Sequence, residues 1–189
     1  MTDIMIDLET LGSQKHCTIL SIGACAFDRD SGNITSTFSI DISRTASEFI
    51  GFREDPETLK WWNEQGPKAK ALLQRCDSPT DSELPHHAAE RFVTWFNNTA
   101  GKNIKGVWAN ESTFDCEILS HFLTWLEKET PWHFRHERSC RTIVDLGREL
   151  GIDPKKDMPF TGTPHNAKDD AIHQAKYVSA IFQHIKNNH

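Results

Sequence analysis

Asp7 and Glu9 stand one residue apart in "MTDIMIDLETLGSQ", at the end of a short apolar run. Side chains two apart on a strand share a face, so both acids point one way while Ile4, Ile6 and Leu8 point the other. Adjacent carboxylates repel unless hydrogen bonds or a cation intervene, and a divalent metal is the natural intervening charge. The plain alternative is a solvated face, as one side of many antiparallel strands is. Asp115 follows Phe114 in "WANESTFDCEIL", at the first turn of an expected helix. There it could equally be a cap or a favourable partner of the helix N-terminus. In "TGTPHNAKDDAIHQAKYV", Gly162 and Pro164 make a loop that delivers His165 just before another helix. Helix periodicity sets Asp170 on the inward stripe of Tyr177 and Ile181, and Asp169 with His173 and Lys176 toward water. His165 and Asp170 would lie about 140° apart on one continuous helix. His165 therefore joins Asp170 in one site only from the loop.

The elements that must position these groups are readable in outline. Ile4 to Leu8, Thr18 to Phe27 and Ile34 to Ile42 read as an antiparallel meander, with the turn residues of "DRDSGN" before the third strand. Helices follow at Pro56 to Gln65, capped by Asp55, from Pro67, and at Ser82 to Asn97. Ile104 to Trp108 is a short strand, and helices are expected from Phe114 to Glu127, Ile143 to Leu150 and Asn166 to His184. Strands first and interleaved helices afterwards indicate an α/β architecture with a mixed sheet.

The chain's 189 residues suit one domain spanning 1–189, and 37% hydrophobic with 25% charged residues is a globular mixture. No apolar run approaches a membrane span and no basic-then-apolar leader follows Met1, so a soluble cytoplasmic protein is expected. Five widely spaced cysteines without a Cys-x-x-Cys pair read as buried free thiols. A net charge of −6 argues against coating DNA by bulk electrostatics, but not against an enzyme that grips one strand end through bound cations. Arg135, Arg138 and Arg141, interleaved with His133 and His136, are the best local basic stretch, either a backbone guide or a solvated face. His86-His87 and His133-x-x-His136 lack partners at metal spacing.

Asp7-x-Glu9, Phe114-Asp115 and His165-Asn166-Ala167-x-x-Asp170, in this order, resemble the histidine-bearing (DEDDh) branch of the DEDD superfamily of 3′-to-5′ exonucleases. Proofreading exonuclease subunits, ribonuclease T and oligoribonuclease form this branch. "MIDLET", "KWW", "RTIVDLG" and "HNAKDDA" look most like its ribonuclease T-like members from phages, prophages and bacteria. Two features depart from the pattern: Asn110 sits one residue farther from Asp115 than in many relatives, and Arg141-Thr142 stands where proofreading relatives often have Asp-Thr.

The resemblance implies a ribonuclease H-like fold, with a central mixed five-stranded sheet flanked by helices. It implies that Asp7, Glu9, Asp115 and Asp170 hold two Mg²⁺ or Mn²⁺ ions, with His165 as general base. The partner would be the 3′ end of DNA or RNA, released as nucleoside 5′-monophosphates, and relatives suggest a homodimer. Candidate substrate contacts are Leu11, Gly12, Trp62, Asn110 and Phe114. Trp61, Trp62, Phe52 and Trp108 could stack on bases or pack helices onto the sheet. No reader of a 2′-hydroxyl is identifiable near Leu11 and Gly12, so the sugar stays open. A phosphodiesterase clearing very short oligonucleotides and a catalytically silent binding module are the alternatives, separable by the dependence of rate on chain length and by metal-dependent turnover.

Overall fold

The protein is described by a computed structural model covering residues 2–188. Strands β1 (Thr2–Thr10), β2 (Ile19–Phe27) and β3 (Ile34–Asp41) form the expected meander. Asp28 turns the β2–β3 connection, its carboxylate accepting from the Asp30 amide at 2.9 Å while Gly32 takes a φ of +77°. Strands β4 (Ile104–Ala109) and β5 (Glu137–Ser139) add to the other side of β1 in parallel. The sheet order is β3-β2-β1-β4-β5, which makes β1 the central strand of a mixed five-stranded sheet.

Alternation along β1 sends its side chains into two different cores. Ile4, Ile6 and Leu8 pack with Phe92 and Phe96 of α4 (Pro85–Thr99) and with Ile118, Leu119 and Phe122 of α5 (Asp115–Trp125). Met5 packs on the opposite face with Ile143 and Val144 of α6 (Cys140–Glu149) and with Tyr177, Val178 and Ile181 of α8 (Ala167–Asn188). The face that carries Asp7 and Glu9 is thus covered by α8 rather than solvated. Leu11 and Leu20 enter a third cluster, under the hairpin of α2 (Pro56–Glu64) and α3 (Pro67–Asp77).

Gly23 decides how closely α8 approaches. It pairs with Asp7 across the β1–β2 ladder, and a Cβ there would overlap the Ala167 carbonyl carbon and the Lys168 amide nitrogen. Only a residue without a side chain lets the first turn of α8 rest on the sheet beside Asp7.

Several elements differ from the sequence reading. Helix α1 (Arg44–Phe49), α7 (Pro154–Asp157) and β5 are too short for a periodic pattern to announce them. The basic stretch is a 3₁₀ turn, Phe134–His136, running into β5, rather than a direct lead into a helix. Helix α4 begins at Pro85, not Ser82, whose hydroxyl donates instead to the Ser78 carbonyl at 2.8 Å. All five cysteines are free and buried, and no helix among the described residues is long and apolar enough to cross a membrane.

Candidate active site

The site forms where β4 leaves β1. Their pairing ends at Ile6 and Ala109, which frees the Leu8 amide; Asp115, the first residue of α5, accepts from it through Oδ1 at 3.2 Å. Asp115 is thereby fixed against the central strand at 4% exposure. Asp170 sits in the first turn of α8, above Asp7 and Glu9. Asp7, Glu9 and Asp170 offer carboxylate oxygens that lie within 4.8 Å of one another. All four acids line one cleft of about 580 Å³ together with His165, Asn110 and Phe114.

No basic group forms an ion pair with Asp7, Glu9, Asp115 or Asp170 among the described residues, and their titration reflects it. Burial, followed by repulsion from Asp170 and Asp115, pushes Glu9 up to about 8. Burial raises Asp115 to about 7 against the opposing pull of backbone amides, and Asp170 to about 6 against the opposing pull of His165. Asp7 lies well above the usual carboxylate range, through burial and then the charges of Asp115, Glu9 and Asp170. Hard oxygen donors with uncompensated negative charge fit Mg²⁺ or Mn²⁺ and suit zinc less well.

His165 occupies the loop, as its separation from Asp170 requires, with a left-handed φ of +60°. Its exposed ring meets Trp61 and Trp62 edge-on, at centroid distances of 5.6 and 6.1 Å. The loop is clasped from α8: the Asp169 carboxylate accepts from the Thr163 amide at 2.9 Å, and Asn166 caps the helix by accepting from the Asp169 amide at 3.1 Å. Gly162, with φ +125°, leaves room for the Asp169 carboxylate, which a Cβ would crowd at 2.8 Å. Asp169 therefore does not simply face water, as periodicity alone suggested. It holds the segment that carries His165.

The expected substrate contacts divide. Asn110 and Phe114 line the cleft, whereas Leu11 is fully buried and Gly12 is packed against Cys17. Trp62 is 2% exposed and its indole N–H donates to the Thr10 carbonyl at 2.9 Å, so it braces α2 against the end of β1 instead of offering a stacking face. Phe52 and Trp108 are likewise core residues, and of these four candidates Trp61 alone presents an open ring. Arg135 and Arg138 lie outside the cleft lining, while Arg141 reaches its rim, 3.8 Å from Glu111.

Gln174 is a site residue the sequence reading missed. Its Nε2 donates to Asp7 Oδ1 at 2.7 Å, and its Oε1 is buried without a hydrogen-bond partner among the described residues. Its position one helical turn after Asp170, on the same face of α8, was the available signal. A buried acceptor without a donor, beside clustered carboxylates, suits a hydrated cation.

The family model of the Rv2179c-like 3′-5′ exoribonuclease domain matches residues 2–182. The chain belongs to this family. The exodeoxyribonuclease of Enterobacteria phage T4 is 23% identical, over 77% of this chain and 71% of the phage protein. Among solved structures, the nuclease domain of 3′hExo, described as a DEDDh family member bound to rAMP, matches with a TM-score of 0.65 at 12% identity, over 97% of this chain and 92% of that one. E. coli exonuclease I in complex with a dA16 oligonucleotide gives 0.68 at 15%, over 99% and 42%. Cell-death related nuclease 4 gives 0.66 at 14%, over 99% and 64%. The chain spans less than two thirds of the last two. These likenesses establish the ribonuclease H-like α/β fold, and the family match bears out the resemblance to 3′-5′ exonucleases.

Proposed function

We propose that this family member is a metal-dependent 3′-5′ exonuclease whose catalytic domain spans the chain and which removes nucleoside 5′-monophosphates from the 3′ end of DNA or RNA. The carrying observation is the convergence of Asp7, Glu9, Asp115 and Asp170 in one cleft, three of them with oxygens within 4.8 Å, without an ion-paired basic group among the described residues. Asp7, Glu9, Asp115 and Asp170 would hold two divalent ions. When bound, such ions supply Lewis-acid activation of water and neutralise the leaving 3′-oxygen. The Leu8 amide fixes Asp115, and Gln174 fixes Asp7. His165, exposed on its clasped loop, takes the proton of the attacking water. Phe114 and Asn110 line the space for the terminal nucleotide.

The family is named for RNA and the phage relative for DNA, so both sugars belong to the reading. A cytoplasmic location and the homodimer suggested by the resemblance complete it; sedimentation velocity tests the latter. The deciding experiment offers 5′-labelled DNA and RNA strands of matched sequence, single-stranded and 3′-overhanging, with Mg²⁺, Mn²⁺ or EDTA. A metal-dependent ladder shortening from the 3′ end, absent in His165→Ala, is the expected result. Binding without cleavage of any strand would sink the proposal.

A further inference from the structure

The catalytic cleft continues into a cation-lined trough. Arg141, near the start of α6, lines the cleft and also a second depression of about 450 Å³, whose other charged walls are Asp145, Arg148 and Lys155. The two cations nearest the cleft are tied to its rim. Arg141 lies 3.8 Å from the Glu111 carboxylate, and Lys155 Nζ donates to Asn110 Oδ1 at 3.2 Å. The Lys155 ammonium also stands 5.8 Å from the centre of the Tyr177 ring, within cation–π range. Arg148 is different, because Asp153 accepts from its Nε at 2.7 Å and compensates its charge. Lys155 has no carboxylate partner among the described residues, and Arg141 only the distant Glu111.

A strand cut from its 3′ end has one scissile phosphate, and every further phosphate lies on the 5′ side and must leave the cleft. Acidic walls repel a polyanion along that exit except where cations stand. Resting on the exonuclease reading, we infer that Arg141 and Lys155 form a subsite for the phosphate next to the scissile one on its 5′ side. The guanidinium presents a fork to the phosphate oxygens and the ammonium a point charge. Glu111 and Asn110 hold the two side chains in place until the strand replaces them. A phosphate subsite sets register without reading bases, so it favours strands of more than one linkage irrespective of sequence.

The test is a cycle between enzyme charge and substrate charge. kcat/KM is measured on a single-stranded oligonucleotide with all linkages charged, and on one with an uncharged methylphosphonate at the second linkage from the 3′ end. The enzymes are the wild type and the doubly substituted Arg141→Ala, Lys155→Ala protein, both checked by thermal melting. The neutral linkage should lower the wild-type value roughly tenfold, the equivalent of about 1.4 kcal/mol. The double variant should lose as much on the charged strand, mostly in KM, and lose little more on the neutral one. Its log-log salt slope should be shallower by roughly 0.7 per cation removed. Losses that multiply, with wild-type cleavage intact, overturn the subsite alone. A wild-type protein that leaves the charged strand uncut overturns the exonuclease reading and the subsite with it.

Discussion

Two ends of one strand face handle buried carboxylates in opposite ways. At the start of β1, Asp3 is 1% exposed and accepts from Arg29 Nε and Nη2 at 2.8 and 2.5 Å and from the Trp108 indole at 2.8 Å. Arg29 in turn lies against the rings of Trp108 and Phe182. Four residues along the same face, Asp7 receives one amide hydrogen bond from Gln174 and meets three more acids. A buried carboxylate with its own arginine is complete; one whose only charged company is other carboxylates needs a cation from solution. On the proposed reading, this difference separates a structural acid from a metal-binding one more sharply than burial does.

The largest effects should fall at the uncompensated end. His165→Ala should lower turnover about 10² to 10⁴-fold while leaving metal affinity nearly intact. Asp7→Ala should cost at least as much and abolish metal binding as well. Calorimetric titration with Mn²⁺ alongside turnover checks both, and equal metal affinity in Asp7→Ala and wild type would erase the contrast.

At the compensated end the effect should be on stability. Asp3→Asn leaves Arg29 without its charge partner and should destabilise by about 3 to 5 kcal/mol in urea unfolding. Its Mn²⁺ affinity should match the wild type, and a loss there would mean the two ends are not independent.

Gln174→Ala sharpens the comparison by removing the one hydrogen bond that the Asp7 carboxylate receives among the described residues. A loss of metal affinity of about 10 to 100-fold is expected, the usual scale for groups that orient a ligand.

The last test is a pH dependence of stability in the metal-free protein. Asp170, Asp115 and Glu9 have folded-state values raised to about 6, 7 and 8. A raised carboxylate contributes stability below its unfolded value, near 4, and that contribution is lost as pH rises through the folded value. Melting temperature without metal should therefore fall from about pH 4 toward 8. Saturating Mg²⁺ should flatten the curve, and a flat curve in EDTA would contradict the uncompensated cluster.

Much of this was legible in the sequence. The β1–β3 meander and the Asp55 cap of α2 follow from local rules, because each depends on a residue's own element, while the ordered acids with His165 came together through the family resemblance. What stayed hidden depends on which element lies against which. Alternation gives Asp7 and Glu9 a common face but does not say that α8 covers it. Periodicity turns Asp169 toward water but does not see Thr163 folded back upon it. Gly23 reads as an ordinary strand residue until Ala167 is placed over it, and Asp3 until Arg29 arrives from the β2–β3 turn. Trp62 looks like a stacking platform until the Thr10 carbonyl claims its indole.

The close seat that Gly23 gives α8 also sets the order in which the cleft can be assembled as the chain is made. The trio Asp7, Glu9 and Asp170 joins the central strand to a helix that follows every described strand. A nascent polypeptide with all five described strands already made still lacks His165, Asp170 and the Gln174 brace. Until α8 emerges from the ribosome and docks, the four acids do not share one cleft.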